Sequence, residues 1–212
     1  MPNRLWPIAA SLRVAVLALI LATALGACSA APSFDPTGPC EVNGKLVDGR
    51  APGAYTDLEA LVPVTYDGRA PNRLDSGRTC TPANLGTMLP RGVPTVRFAG
   101  GLWEVGERSG VTLALFTAPT LTSTILFEFY ETGARTASKT DAIQASDVTA
   151  GGLAGRRLDV LNDESYQTII TWPAGSGSVR VVLVGSDVRE TVARQVHEDR
   201  VTAALAAWAA PR

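Results

Sequence analysis

Histidine and cysteine are the residue types that most often carry catalysis or bind metals, and this chain of 212 residues has one histidine and three cysteines. The histidine, His197, lies beside Glu198 and Asp199, and no G-x-S-x-G nucleophile motif, P-loop or dinucleotide-binding glycine pattern accompanies it. One histidine and two cysteines that can pair with each other do not supply the ligands of a zinc site. We therefore expect no catalytic residue, no metal and no cofactor, and we place His197 on the surface of a helix.

The first cysteine follows a sequence with the features of a signal peptide. Arg4 and Arg13 precede an apolar run that covers residues 14–25. This run is shorter than the roughly 20 residues of a membrane-spanning helix. The tetrapeptide Leu-Gly-Ala-Cys at residues 25–28 resembles the lipobox of bacterial lipoproteins. That resemblance implies that diacylglycerol is attached to Cys28 and that the chain is cut just before it.

The lipobox resemblance also implies a location for the protein. Residues 1–27 are then a lipoprotein signal peptide, and the acyl chains on Cys28 hold the protein on the cell membrane or the outer membrane, outside the cytoplasm. The alternative is a plain secretory signal that is cut near Ala27 or Ala30. Residues 28–39 are small, polar and rich in proline, which predicts a flexible tether.

The remaining cysteines, Cys40 and Cys80, form a pair if Cys28 carries lipid. In an oxidising compartment a disulfide between them is expected, and it would close a loop of about 40 residues with a stabilisation of roughly 4 kcal/mol. A redox-active pair is the alternative, but such pairs have the C-x-x-C spacing that this sequence lacks. We predict a structural disulfide.

Arginines are concentrated in one stretch of the chain. If the disulfide gathers their side chains, they could bind a phosphate, a sulfated or carboxylated glycan, or an acidic partner, because guanidinium groups pair well with planar anions. The alternative is that they bond to loop carbonyls and nearby acids. The series consists of Arg69, Arg73, Arg78, Arg91 and Arg97, and Arg73 and Arg78 are the candidates for anion binding.

Carboxylates and tryptophans leave two further possibilities open. A glycosidase needs only two carboxyl groups, and a lipid carrier needs an apolar pocket. The ordinary interpretations are a solvated helix face for Glu128 and Glu131 and core positions for the tryptophans. The residues concerned are the acids Glu104, Glu128, Glu131 and Asp159 and the tryptophans Trp103, Trp172 and Trp208.

Residues 40–92 are rich in Gly, Pro and Asp, which predicts a loop-rich, disulfide-stapled extension. Within it, Thr56 and Glu59 have the spacing of a capping box, so a short helix should begin there and stop before Pro63. A second helix should begin after Thr81, because Pro82 suits the first helical position, and end by Pro90 or Gly92.

Residues 93–210 have the strand and helix patterns of an α+β domain, in which an antiparallel β-sheet is covered by helices. The expected elements are strands at 96–98, 102–105 and 111–116, a helix over 121–133, strands at 155–161, 166–172 and 179–184, and a last helix that is capped by Asp187 and broken near 197–200. This order resembles that of PsbP-like domains, a group that includes actinobacterial envelope lipoproteins. No functional residue carries over from the resemblance, because it rests on element order.

Composition agrees with an ordinary globular protein. Hydrophobic residues make up 46% of the chain, charged residues 18%, and the net charge is -1, so we expect no nucleic-acid partner. We interpret the chain as a lipid-anchored lipoprotein of the cell envelope that acts as a non-catalytic binding module for an envelope protein or ligand. The alternative is an envelope hydrolase with paired carboxylates.

Overall fold

The computed structural model of the chain describes residues 34–162 and 164–210. The predicted signal peptide, Cys28 and the first part of the predicted tether lie outside the described residues. The elements in chain order are β1 (Glu41–Val42), β2 (Lys45–Leu46), β3 (Gly49–Ala51), α1 (Thr56–Glu59), β4 (Arg73–Thr79), α2 (Pro82–Leu85), a 3-10 helix (Gly86–Arg91), β5 (Val96–Glu104), β6 (Gly110–Thr117), α3 (Ser123–Thr136), β7 (Thr140–Ala150), β8 (Leu153–Asn162), β9 (Ser165–Gly175), β10 (Ser178–Val188) and α4 (Arg194–Ala209).

Eight of these strands form one sheet in the order β3-β4-β5-β6-β10-β9-β8-β7, and every neighbouring pair is antiparallel. The strands β1 and β2 form a separate hairpin. The described residues thus form a mostly antiparallel α+β structure, as predicted. The three-strand meander β8-β9-β10 is also confirmed.

Both faces of the sheet carry a hydrophobic core. On the first face, Leu58 of α1 and Trp208 of α4 pack with Trp103 of β5 and Ile170 of β9. On the second face, side chains of α2, the 3-10 helix and α3 pack against β6, β8, β9 and β10. Because residues alternate between faces along each strand, the register assigns every sheet side chain to one of these two faces.

The disulfide between Cys40 and Cys80 is present, with the two Cα atoms 5.8 Å apart. Next to it, Asp48 accepts hydrogen bonds from the backbone nitrogens of Cys80 (2.5 Å) and Thr81 (2.8 Å). Burial would raise the pKa of Asp48, but these bonds, with others from the side chains of Thr81 and Asn84, outweigh it and lower the pKa. Asp48 therefore binds the N-terminus of α2, where Thr81 makes no side-chain cap of its own.

The segment 40–92, predicted as a loop-rich extension, contributes two strands to the main sheet. The strand β4 is hydrogen-bonded to β3 on one side and to β5 on the other. Its sequence, RLDSGRT, has a single apolar residue, Leu74, so it lacks the alternation that marks a half-buried strand. The extension and the predicted 93–210 domain therefore share one sheet.

Residues 34–39, the described part of the predicted tether, contact the folded structure. Phe34 packs edge-on against Tyr55, with the ring centroids 6.3 Å apart, and the hydroxyl of Tyr55 donates to the carbonyl of Pro36 over 3.1 Å. Arg78 donates to the carbonyls of Gly38 and Pro39, the latter over 2.7 Å. These contacts place residues 34–39 on the folded structure, which therefore begins before Cys40.

Two predicted strands, 96–98 and 102–105, are one strand in the structure. The strand β5 runs through Gly100 and Gly101 without a break. A Cβ atom on Gly100 would lie 3.2 Å from the Cβ atom of Ala114, and one on Gly101 would lie 2.6 Å from the ring of Trp103. These glycines give room to neighbouring side chains and do not end the strand.

The predictions for the last helix are wrong in three respects. The helix α4 is continuous from Arg194 to Ala209, without the break expected near 197–200, and Asp187 lies in β10 instead of capping it. His197, expected on the surface, is fully buried. The reason is helical periodicity: positions 197, 201, 204 and 208 form one buried stripe, and His197 is its first member.

Candidate functional site

A pocket of about 510 Å³ lies between the C-terminal half of α3 and the second face of the sheet. Val160 of β8, Ile169 of β9 and Leu183 of β10 line it from the sheet. Phe129 and Tyr130 line it from α3, and the junction of α2 with the 3-10 helix borders it. Most of the surface that these residues provide is apolar.

The sequence of α3 explains why a space remains there. The fully buried side chains of the helix, such as Leu126 and Phe127, all lie in its first half. Further along, the residues one turn after Phe129 and Tyr130 are small, namely Gly133 and Ala134, and both line the pocket. A Cβ atom added to Gly133 would meet no heavy atom within 4 Å, so a larger side chain has open space at this position.

Polar groups of the pocket are uncharged. None of its described lining residues is Asp, Glu, Lys, Arg or His. The hydroxyl of Thr87 is buried and has no hydrogen-bond partner among the described residues. Burial raises the pKa of Tyr130, so its hydroxyl keeps its proton at physiological pH and can donate a hydrogen bond. The pocket therefore suits a ligand that is uncharged and largely apolar, with few hydrogen-bonding groups.

A second cluster of functional residue types surrounds His197. Its Nδ1 lies 2.7 Å from Oδ2 of Asp187, and its Nε2 lies 2.8 Å from Oγ1 of Thr168. Asp187 reaches this face because of a β-bulge: between Val184 and Asp187 the strand has one more residue than its partner β9, and Ser186 has a positive φ of 63°. In a regular strand Asp187, three residues after Val184, would lie on the opposite face of the sheet.

Asp187 is fully buried and has two partners on α4. Its Oδ2 lies beside Nδ1 of His197, and its Oδ1 pairs with Arg200. Thr168, which lies beside Nε2 of His197, donates its hydroxyl hydrogen to Asp159 over 2.6 Å. The cluster therefore links β8, β9 and β10 to α4.

The carboxylates next to this cluster are held ionised. Burial would raise the pKa of Asp159, but hydrogen bonds from Arg157 and Thr168 outweigh it and lower the pKa. Burial acts in the same way on Glu198, where hydrogen bonds from Arg157 and Arg194 lower the pKa. A glycosidase acid needs a raised pKa to carry its proton at neutral pH. The arrangement therefore fixes α4 to the sheet and has no carboxyl group poised to donate a proton.

The arginine series is not gathered into one patch. Arg73 is half-exposed on the second face, with its Nε 3.3 Å from Oδ2 of Asp75. Arg78 is buried on the first face, where it bonds to loop carbonyls and stacks on Phe34. These contacts use the guanidinium group of Arg78 to hold residues 34–39. The other members lie apart: Arg97 stacks on the ring of Tyr55, Arg91 pairs with Glu128, and the carbonyl of Arg69 accepts from the indole of Trp103.

The other predicted site residues have structural partners or exposed positions. Glu131 pairs with Arg135 one turn along α3, so the two helix acids face different cations, and Glu104 is exposed. The three tryptophans belong to the first-face core and do not line the α3 pocket; they are Trp103, Trp172 and Trp208.

Comparison with known proteins gives no match: no protein-family model, no curated protein and no solved structure matches this chain. Among the described residues there is no group of three or more His, Cys, Asp or Glu side chains arranged to hold a metal ion. No helix within the described ranges is long and apolar enough to cross a membrane. Two features of the chain bear on its function: the α3 pocket and the lipobox-like sequence before residue 34.

Proposed function

We propose that the protein is a lipid-anchored lipoprotein of the cell envelope that binds an uncharged, largely apolar ligand in the α3 pocket without transforming it. The observation that carries this proposal is the pocket itself, with an apolar floor and no charged group among its described lining residues. A concave apolar site with few polar groups is the usual form of a small-molecule binding site. The described lining residues include no Ser, Cys, His, Lys, Asp or Glu, the side chains that most often act as nucleophiles or general bases.

The proposal of binding over hydrolysis is supported by the carboxylates. Asp159 and Glu198 are partly buried carboxyl groups that both bind Arg157. Both have lowered pKa values because arginines donate hydrogen bonds to them. Both also lie on the first face of the sheet, whereas the pocket lies on the second. Among the described lining residues, a ligand in the α3 pocket therefore meets no pair of carboxyl groups.

The anchor is proposed from the lipobox at residues 25–28. Cys28 lies six residues before Phe34, where the described structure begins. Six residues span at most about 20 Å, so a lipidated Cys28 would keep the folded part close to the membrane surface.

Replacing Cys28 with serine is expected to abolish lipid attachment, because serine has no thiol to receive diacylglycerol. The measurement is metabolic labelling with a radioactive fatty acid, followed by separation of membrane and soluble fractions. Wild-type protein should carry label and sediment with membranes, and the Cys28→Ser protein should carry none. A labelled, membrane-bound Cys28→Ser protein would show that the anchor assignment is wrong.

Replacing Gly133 with leucine tests the pocket. The new side chain enters the open space beside Gly133, so binding should weaken at least tenfold, which corresponds to about 1.4 kcal/mol. The same substitution should stabilise the folded protein by about 0.5–1 kcal/mol, because glycine is a poor residue inside a helix. The measurement is fluorescence titration of the Cys28→Ser chain, purified without detergent, with the uncharged probe N-phenyl-1-naphthylamine.

Gly133→Ala is the matched control for this experiment. It removes the same glycine and should stabilise α3 to a similar extent, but its single methyl group leaves most of the pocket open. The proposal requires that Gly133→Ala keeps probe binding while Gly133→Leu loses it. Equal binding by both variants would place the probe outside the α3 pocket.

A further inference from the structure

A second recess lies on the same face of the sheet as the α3 pocket, over β4, β5 and β6, and has a volume of about 210 Å³. Its floor consists of two small residues that are direct register partners, Gly100 and Ala114. Phe98 and Phe116 pair in the next row toward one end of the strands, with ring centroids 5.9 Å apart. We call this recess the β4–β6 trough.

The register also defines the remaining walls of the trough. On the other side of the floor, Leu102 pairs with Thr112. At the β4 end of the floor row, Asp75 pairs with Gly100. Side chains two residues apart on a strand share a face, so the two larger rows stand on either side of the small-residue row. The result is a short groove that is apolar along its length and ends at Asp75.

The end of the trough carries a net positive charge. Asp75 is largely buried and accepts hydrogen bonds from Arg50 through Nη2 (2.5 Å) and Nε (3.1 Å). Arg73 approaches the same carboxylate oxygen through Nε, 3.3 Å away. Two guanidinium groups thus share one carboxylate, and both side chains remain at least half exposed. Asp75 therefore holds the two cations in place without neutralising both.

We propose that the β4–β6 trough binds a small ligand with a planar carboxylate at one end of a flat apolar body. The carboxylate would pair with Arg73 and Arg50, since guanidinium groups bind planar oxyanions through two parallel hydrogen bonds. The apolar body would lie over Gly100 and Ala114, between the aromatic pair and Leu102. This site is separate from the α3 pocket, and its ligand differs from the uncharged one proposed there.

Calorimetric titration with 2-naphthoate tests this proposal, with 2-naphthamide as the uncharged analogue. The protein is the Cys28→Ser chain with Gly133→Leu added, so that the α3 pocket is filled. The added substitution Arg73→Gln should weaken naphthoate binding about tenfold or more, because a hydrogen bond to a charged group is lost. Arg108→Gln is the matched control, since Arg108 is also an exposed arginine paired with a single acid, Glu164, at 3.3 Å.

The expected result is saturable binding of naphthoate that Arg108→Gln leaves unchanged and Arg73→Gln weakens, with little binding of naphthamide. Equal affinities for naphthoate and naphthamide would overturn the proposal, because the anion would then contribute nothing. Unchanged naphthoate binding after Arg73→Gln would also overturn it. So would the absence of saturable naphthoate binding to a chain whose thermal unfolding shows that it is folded.

Discussion

The Asp187→Asn protein is expected to lose about 3–5 kcal/mol of unfolding free energy, because the substitution breaks a buried ion pair and leaves Arg200 facing a neutral amide. Asp187 is fully buried between His197 and Arg200, and His197 is fully buried as well. The contacts of Asp187 with His197 and Arg200 join the end of β10 to α4. Their loss should therefore loosen the packing of the helix on the sheet. The measurement is urea unfolding at neutral pH.

Asp147→Asn is the matched control, because Asp147 also pairs with an arginine, Arg156 at 3.3 Å, but its side chain is 91% exposed. An exposed pair of this kind contributes about 0–1 kcal/mol. A loss below about 1 kcal/mol for Asp187→Asn, equal to that of the control, would show that the buried cluster does not stabilise the fold.

The carboxylates next to this cluster make the stability of the protein depend on pH. The pKa values of Asp159 and Glu198 are lowered in the folded chain, so their contribution is present above the unfolded values near 4 and is lost as the pH falls through the lower folded values. In Asp187→Asn, these two groups keep their arginine partners. The acid-dependent part of the stability should therefore persist in that variant.

Removing the disulfide by Cys40→Ser with Cys80→Ser is expected to cost about 4 kcal/mol, the chain-entropy value for a sequence separation of 40 residues. Cys80 is buried and its backbone nitrogen is bound by Asp48, so the loss should also loosen the start of α2. The measurement is thermal and urea unfolding of the oxidised wild type and the double variant.

Reduced wild-type protein is the control for this pair of substitutions, because it has free thiols at unchanged positions. Its stability should match that of the double variant to within about 1 kcal/mol. A double variant as stable as the oxidised wild type would mean that the loop between the cysteines is already restricted in the unfolded chain.

The sequence predicts the elements that carry their own periodicity. The α3 helix and the meander β8-β9-β10 follow from apolar spacing and turn residues, and the disulfide follows from cysteine count. The strands β4 and β7 were not predicted, because β4 is rich in polar residues and β7 is an edge strand with mostly exposed side chains. Neighbouring strands determine both, and a local pattern does not contain that information.

The candidate sites also include features that have a local sequence pattern and features that depend on distant strands. The small residues Gly133 and Ala134 of α3 are visible in the sequence and could have indicated the pocket. His197 is buried because it belongs to the apolar stripe of α4, whereas the bulge at Ser186 that brings Asp187 beside it leaves no clear mark in the sequence. The approach of Arg50 and Arg73 to Asp75 depends on the register of β3 and β4, which could not be read from the chain.

Native mass spectrometry of the protein, isolated from its own cells with mild detergent, tests the proposed ligand binding most directly. The binding proposal predicts an intact, uncharged small molecule on wild-type protein and on Gly133→Ala, and none on Gly133→Leu. It is contradicted if Gly133→Leu carries the same molecule, if wild-type protein carries none, or if wild-type protein converts the molecule to a product during incubation.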